Sequence, residues 1–161
     1  MAQPYLLAKD TVNGAEGSIV ITKDGQNYVI AGMKNIKTTV EVQSEDMRVI
    51  GTRKIQQKPN GALLHGTGNI YYGTNIFTDM VLQYVNTGVM PQFDIQITNE
   101  DKAASVGSQV MGYYGCTLLG EIPLSVLNDE ETMLNYDFEF TWTNVQRLNA
   151  FNDPEKYGSD E

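Results

Sequence analysis

Histidine and cysteine are nearly missing from this chain of 161 residues, which has one of each, His65 and Cys116. A lone cysteine excludes an intrachain disulfide and a cysteine-based metal cluster, and it fits a reducing, cytosolic compartment. A lone histidine leaves one place around which a Ser-His-Asp triad could be built, and His65-Gly66-Thr67-Gly68 has no nucleophile elbow of the G-x-S-x-G kind, so a structural histidine is the simpler reading. No run approaches the ~20 apolar residues that cross a bilayer. The opening MAQPYLLAKD lacks a basic segment followed by an apolar run, so neither membrane insertion nor a secretory signal is expected. Basic residues are scarce as well: eleven Lys and Arg stand against twenty acids, for a net charge of −9. Duplex DNA is held through Lys and Arg contacts to phosphate, and this composition offers few of them.

The remaining chemical signals are weak. Gly66-Thr67-Gly68 begins like a dinucleotide fingerprint, but Tyr71 stands where the third glycine belongs. Asp137 and Glu139 share one face of a strand, which any solvated face provides as readily as a pair of glycosidase carboxylates. Cys116 lies in an apolar run and reads as a small core residue. No catalytic, cofactor or metal site is expected, and the chain is not expected to be an enzyme.

What the sequence has is alternation. Met133–Val145 places Leu134, Tyr136, Phe138, Phe140 and Trp142 on one parity, with Asn135, Asp137, Glu139, Thr141 and Thr143 on the other. That is the pattern of a long strand with one buried face, which needs paired neighbours and a covering layer. Gly17–Thr22 and Asn27–Ala31 flank Asp24-Gly25, a hairpin signal. Asn35–Gln43 alternates Ile36, Thr38, Val40 and Val42 against Lys37, Thr39, Glu41 and Gln43. Ala62–Tyr72, Pro91–Asn99 and Ser108–Pro123 also read as strands, the last kinked at its glycines. Asn75–Thr87 alone reads as a helix, with Ile76, Phe77, Met80, Val81, Tyr84 and Val85 on one stripe, a cap at Thr74 or Asn75, and Gly88 as its end. The expectation is a mainly β single domain over 1–161: a two-sheet antiparallel β-sandwich or rolled β-barrel with one flanking helix at about 75–87. Residues 1–16 read as an N-terminal arm, 43–60 as a protruding hairpin or loop, and 149–161 as an acidic C-terminal tail.

Charge is divided unevenly. Residues 1–60 carry eight bases against six acids, and residues 61–161 three against fourteen. Lys34, Lys37, Arg48, Arg53, Lys54 and Lys58 crowd one stretch that also holds Glu41, Glu45 and Asp46. Either this is a solvated mixed-charge surface, or it is a basic arm that meets an acidic partner surface. Met47–Lys58 is β-capable but poor in apolar residues, and Pro59-Asn60-Gly61 is expected to break it. On the second reading Arg48, Val49, Ile50, Arg53, Lys54, Ile55 and Lys58 are the inter-subunit contact.

Several local signatures occur together: Asn13–Gly17 (NGAEG), the Asp24-Gly25 turn, Ile50–Arg53 (IGTR), and Asn60–Ala62 (NGA) leading to Gly66–Gly68 (GTG). They are followed by the helix with Phe77, Met80 and Tyr84, by Gly88 and Pro91–Phe93 (PQF), by a loop with Asp101, Ser105 and Gly107, and by the ending around Phe138 and Phe140. In this order, over about residues 10–148, the chain resembles the tail tube protein of contractile-tailed phages, in the branch found in Gram-positive prophages and in bacteriocins built like tails. The resemblance implies a structural subunit of a virion or tail-like particle, with no cofactor. Six copies close into a ring, and the rings stack into a hollow tube that conducts DNA or another cargo. The partners it implies are a sheath protein, a tape measure and baseplate or initiator proteins, with assembly in the host cytoplasm. A tube needs a polar wall, and Lys37, Thr39, Glu41 and Gln43 are the residues expected to face its lumen. Independently, two charge poles and one arm make heterologous surfaces of the kind that close into rings or run on as filaments. A ligand- or carbohydrate-binding β-sandwich is the alternative, although no aromatic cluster separates from the core pattern.

Overall fold

The computed structural model describes residues 7–30, 32–130 and 133–152. The start of the N-terminal arm with Pro4, residue 31 at the end of the first hairpin, 131–132 of the acidic turn, and 153–161 of the acidic tail lie outside the described residues. In chain order the elements are β1 (Gly17–Lys23), β2 (Gln26–Val29), β3 (Met33–Met47), β4 (Gln56–Tyr71), α1 (Ile76–Thr87), β5 (Phe93–Glu100), β6 (Ser108–Leu119), β7 (Asn135–Thr141) and β8 (Asn144–Asn149). The fold is mainly β, as the alternation predicts. Its strands follow one open, antiparallel path, β2-β1-β5-β6-β7-β4-β3, with β8 paired to β6. The chain divides into two compact units, and β6 contributes its residues up to Cys116 to the first and from Thr117 onward to the second.

In the first unit the β1–β2 turn is made by Asp24 and Gly25, both at positive φ (54° and 75°). Two such residues give the turn whose twist matches the strands it joins. Ile21, Ile95 and Tyr113 stand opposite one another across β1, β5 and β6, and all three are buried. The described part of the N-terminal segment lies along the loop after β5. Asp101 accepts from the backbone N–H of Asn13 and of Ala103, and Lys9 O accepts from the Ser105 N–H. Residues 149–152 are tied in the same way, with Asn149 Nδ2 donating to Ser108 and the Asn152 N–H to Val106 O.

The second unit holds the aromatic core that Met133–Val145 predicts. Tyr136, Phe138, Phe140 and Trp142 are buried and Leu134 is half-buried, whereas Asp137 and Glu139 are exposed. Phe138 and Phe140 cover Gly68 and Gly66, their register partners on β4. A Cβ on Gly68 would come within 2.6 Å of the Phe138 ring, so these glycines let aromatic rings lie directly on the backbone. α1 closes the same core through buried Phe77 and Met80, with the Phe77 ring 4.6 Å from that of Phe138.

Four local expectations change. The long strand is two strands, β7 and β8, because both the backbone N–H and the hydroxyl of Thr143 turn to Tyr114 O (3.1 Å each), and pairing passes to the first part of β6. Pro59 does not break the chain: β4 runs through it opposite Ser44. Asn60 is left over as a bulge where β4 has only β3 beside it, and a bulged or edge position is where proline is tolerated. Asn75 is the N-terminal cap position of α1 but has helical backbone and makes no side-chain cap bond, while Gly88 ends the helix in the left-handed conformation as expected. Tyr84 and Val85, placed on the core stripe by periodicity, are 49% and 71% exposed.

Candidate assembly surface

β3 and β4 form a hairpin far longer than the core beneath it. Pairing with β7 covers only Gly66–Tyr71 of β4, while β3–β4 pairing continues out to Met47↔Gln56. Every residue from Thr39 to Leu63 is exposed. The hairpin is held by its own ladder and by cross-strand pairs such as Gln57 Nε2 donating to Asp46 Oδ1 (3.2 Å). Residues 48–55 connect the strands, with Gly51 at φ 106° and the Lys54 N–H donating to Thr52 Oγ1 (3.1 Å). Arg48, Val49, Ile50, Arg53, Lys54 and Ile55 therefore share one connecting segment, and Ile50 is fully exposed. Lys58 sits apart from them, in β4 opposite Glu45.

Lys37, Thr39, Glu41 and Gln43 share one face of β3, opposite Thr67, His65, Leu63 and Gly61 of β4. All four are exposed. The row continues inward, since Thr67 stands opposite Glu139 of β7 and Asn69 opposite Asp137. Asn69 Nδ2 donates to Asp137 Oδ1 (2.8 Å) and to Asn135 Oδ1 (3.1 Å). Sequence reasoning grouped the β3 residues on one face but did not join Thr67, Asn69, Asp137 and Glu139 to it. The polar parity of β7 was the available signal, and register converts it into a shared face.

Residues with chemical potential are otherwise absorbed by packing. Cys116 is fully buried, and burial, with the nearby Asp94 charge, pushes its thiol up to about 12. Burial, then Tyr72, raises the Tyr136 phenol, whose ring meets Tyr72 edge-on at 6.4 Å. Among the described residues no group of three or more His, Cys, Asp and Glu could hold a metal ion. Nor is any of their helices long and apolar enough to cross a membrane.

The buried thiol gives a pH dependence with a definite sign. An unfolded cysteine ionises near pH ~8.5, whereas the folded one holds its proton to about 12. Its stabilising contribution is thus complete below the unfolded value and is lost as pH rises between the two. The melting temperature should fall between pH 8 and 11 more steeply for the native chain than for Cys116→Ala. Parallel curves would show that the thiol is not shielded.

A family profile described as phage tail tube protein matches residues 4–149. Protein XkdM of the phage-like element PBSX of Bacillus subtilis (strain 168) is 28% identical over 109 residues, which cover 68% of this chain and 71% of that protein. The fold is similar to a chain of the sheath–tube complex of the extracellular contractile injection system PVC in its extended state (TM-score 0.60, 9% identity, 89% of this chain and 94% of that one). It is also similar to a chain of the sheath/tube terminator structure of the same system (TM-score 0.63, 9% identity, 89% and 100%). A chain of the native gene transfer agent particle matches at TM-score 0.51 and 12% identity, over 86% and 100%. With a family match spanning nearly its whole length, on a mainly β fold with a long hairpin and, among the described residues, one α-helix, the chain belongs to the phage tail tube protein family.

Proposed function

We propose that this tube protein acts as a single-domain subunit in rings of six, which stack into the hollow inner tube of a contractile phage tail or tail-like particle. In this reading the protein has no enzymatic role. It is a conduit wall for DNA or another cargo and a scaffold for a sheath, it is bounded by tape-measure and baseplate proteins, and it is assembled in the host cytoplasm. The observation that carries the reading is the family match over residues 4–149. Likeness to chains of sheath–tube structures supports the contractile setting.

Lys37, Thr39, Glu41 and Gln43 face the lumen in this proposal, joined by Thr67, Asn69, Asp137 and Glu139 of the same polar face. A wall that mixes hydroxyl, amide and both signs of charge offers a sliding polyanion no continuous basic track. Arg48, Val49, Ile50, Arg53, Lys54, Ile55 and Lys58 join one subunit to the next. Negative-stain imaging of the purified protein should show rings or tubes, and a persistent monomer at high concentration would overturn the proposal. Cysteines at Thr39 and Glu41, in a Cys116→Ala background, should react with a bulky maleimide in monomers and be shielded in assembled tubes. Equal labelling in both states would remove β3 from the channel wall.

A further inference from the structure

β3 and β4 carry their apolar face past the point where their own chain covers it. Val40 stands opposite Leu64 and Val42 opposite Ala62, with no register shift between these pairs and Ile36↔Gly68. All four side chains therefore lie on the face of the sheet against which Phe138 packs at Gly68. β7 ends its pairing at Gly66, and beyond it Val40 is 51% and Val42 62% exposed. The opposite face of β3 over the same span carries Thr39, Glu41 and Gln43. On β3 this apolar-against-polar alternation is that of a sheet with one covered face, while β4 places one apolar residue, Leu63, on the polar side opposite Glu41.

α1 has an uncovered apolar surface of its own. Phe77 and Met80 point to the core, while Leu82 and Val85, one turn apart on another side of the helix, and Val89 just past the Gly88 cap are 41%, 71% and 62% exposed. Leu82, Val85 and Val89 are uncharged, with exposed Asp79 one turn before Leu82, and the hairpin strip of Val40, Val42, Ala62 and Leu64 carries no charge.

We infer that the hairpin strip of one copy is covered by the helix stripe of a second copy. This rests on the tube reading above, which makes a second copy the neighbour at highest local concentration. Two uncharged apolar surfaces of different shape on one chain, each without cover among the described residues, complement each other only between copies. The contact is heterologous, strip to helix, and a heterologous contact repeats around a closed ring. It is separate from the charged connection at 48–55.

A charge swap tests the pairing. Val42→Glu alone and Val85→Lys alone should each abolish rings while leaving the melting temperature of the exposed-site variants unchanged, and the double variant should restore them. In a Cys116→Ala background, Val42→Cys with Val85→Cys should give a ladder of covalent oligomers with a short bismaleimide, absent from either single-cysteine variant. A covalent dimer from Val42→Cys alone would show that strip meets strip and overturn the inference. Rings that form normally in the single charge variants, or that yield no ladder, would also overturn it while leaving the ring reading in place. Absence of rings from the native chain would defeat that reading and this one together.

Discussion

Replacing Phe138 by alanine is expected to destabilise the monomer by about 3–5 kcal/mol, the usual range for deleting a buried aromatic ring. Phe138 is 1% exposed and lies between two other rings, 4.6 Å from Phe77 of α1 and 6.0 Å from Phe140. On its remaining side it covers Gly68, which has no side chain to fill the space left behind. Relaxation is therefore limited, and the cost belongs toward the upper end. Domains of this size are stable by only about 5–15 kcal/mol, and each kcal/mol moves the midpoint by roughly 2–4 °C, so a drop of roughly 10 °C or more should appear in a thermal scan. Glu139→Ala, one residue along and on the exposed parity, should stay within about 0.5 kcal/mol of the native chain. An unchanged midpoint for Phe138→Ala would mean that the covered and open faces of β7 are reversed.

Reversing Arg53 and Lys54 to glutamate is expected to leave the monomer folded while slowing or abolishing tube growth. Both residues lie on the exposed connection between β3 and β4, with no partner strand beyond Met47↔Gln56. Circular dichroism and the melting temperature should not move. The acids such a connection can meet are abundant, since residues 61–161 hold fourteen. Exposed pairs contribute only ~0.2–1 kcal/mol each and act more on steering and register than on affinity. In the proposed ring such pairs would repeat and multiply a small term, so a two-residue reversal is expected to have a large effect on assembly. Light scattering should show native assembly weakening as salt rises and the screening length shortens to ~10 Å at 0.1 M. Normal tube growth by a folded Arg53→Glu/Lys54→Glu variant would remove the connection from the interface, and salt-independent native growth would assign the contact to Val49, Ile50 and Ile55 instead.

Local rules accounted for the elements with strong local chemistry. Alternation alone placed Tyr136, Phe138, Phe140 and Trp142 inside and Asp137 and Glu139 outside, because a strand offers side chains only two directions. Asp24-Gly25 and Gly88 marked their turn and helix end because only a few residues accept positive φ readily. Residues 48–55, with Arg48, Arg53 and Lys54, were legible in the sequence as part of a charged stretch, and all of them are exposed. What tertiary structure decided was pairing and cover. Thr143 hands the chain from one pairing to another through Tyr114 O, and Pro59 survives inside β4 because a bulge at Asn60 adjoins it. Tyr84, Val85, Val40 and Val42 have the periodicity of buried residues and yet are open to solvent. Periodicity records that a face is meant to be covered. Which strand, helix or second copy covers it depends on contacts far apart in sequence, and so did the union of Lys37 and Thr39 with Thr67 and Glu139 on one polar face.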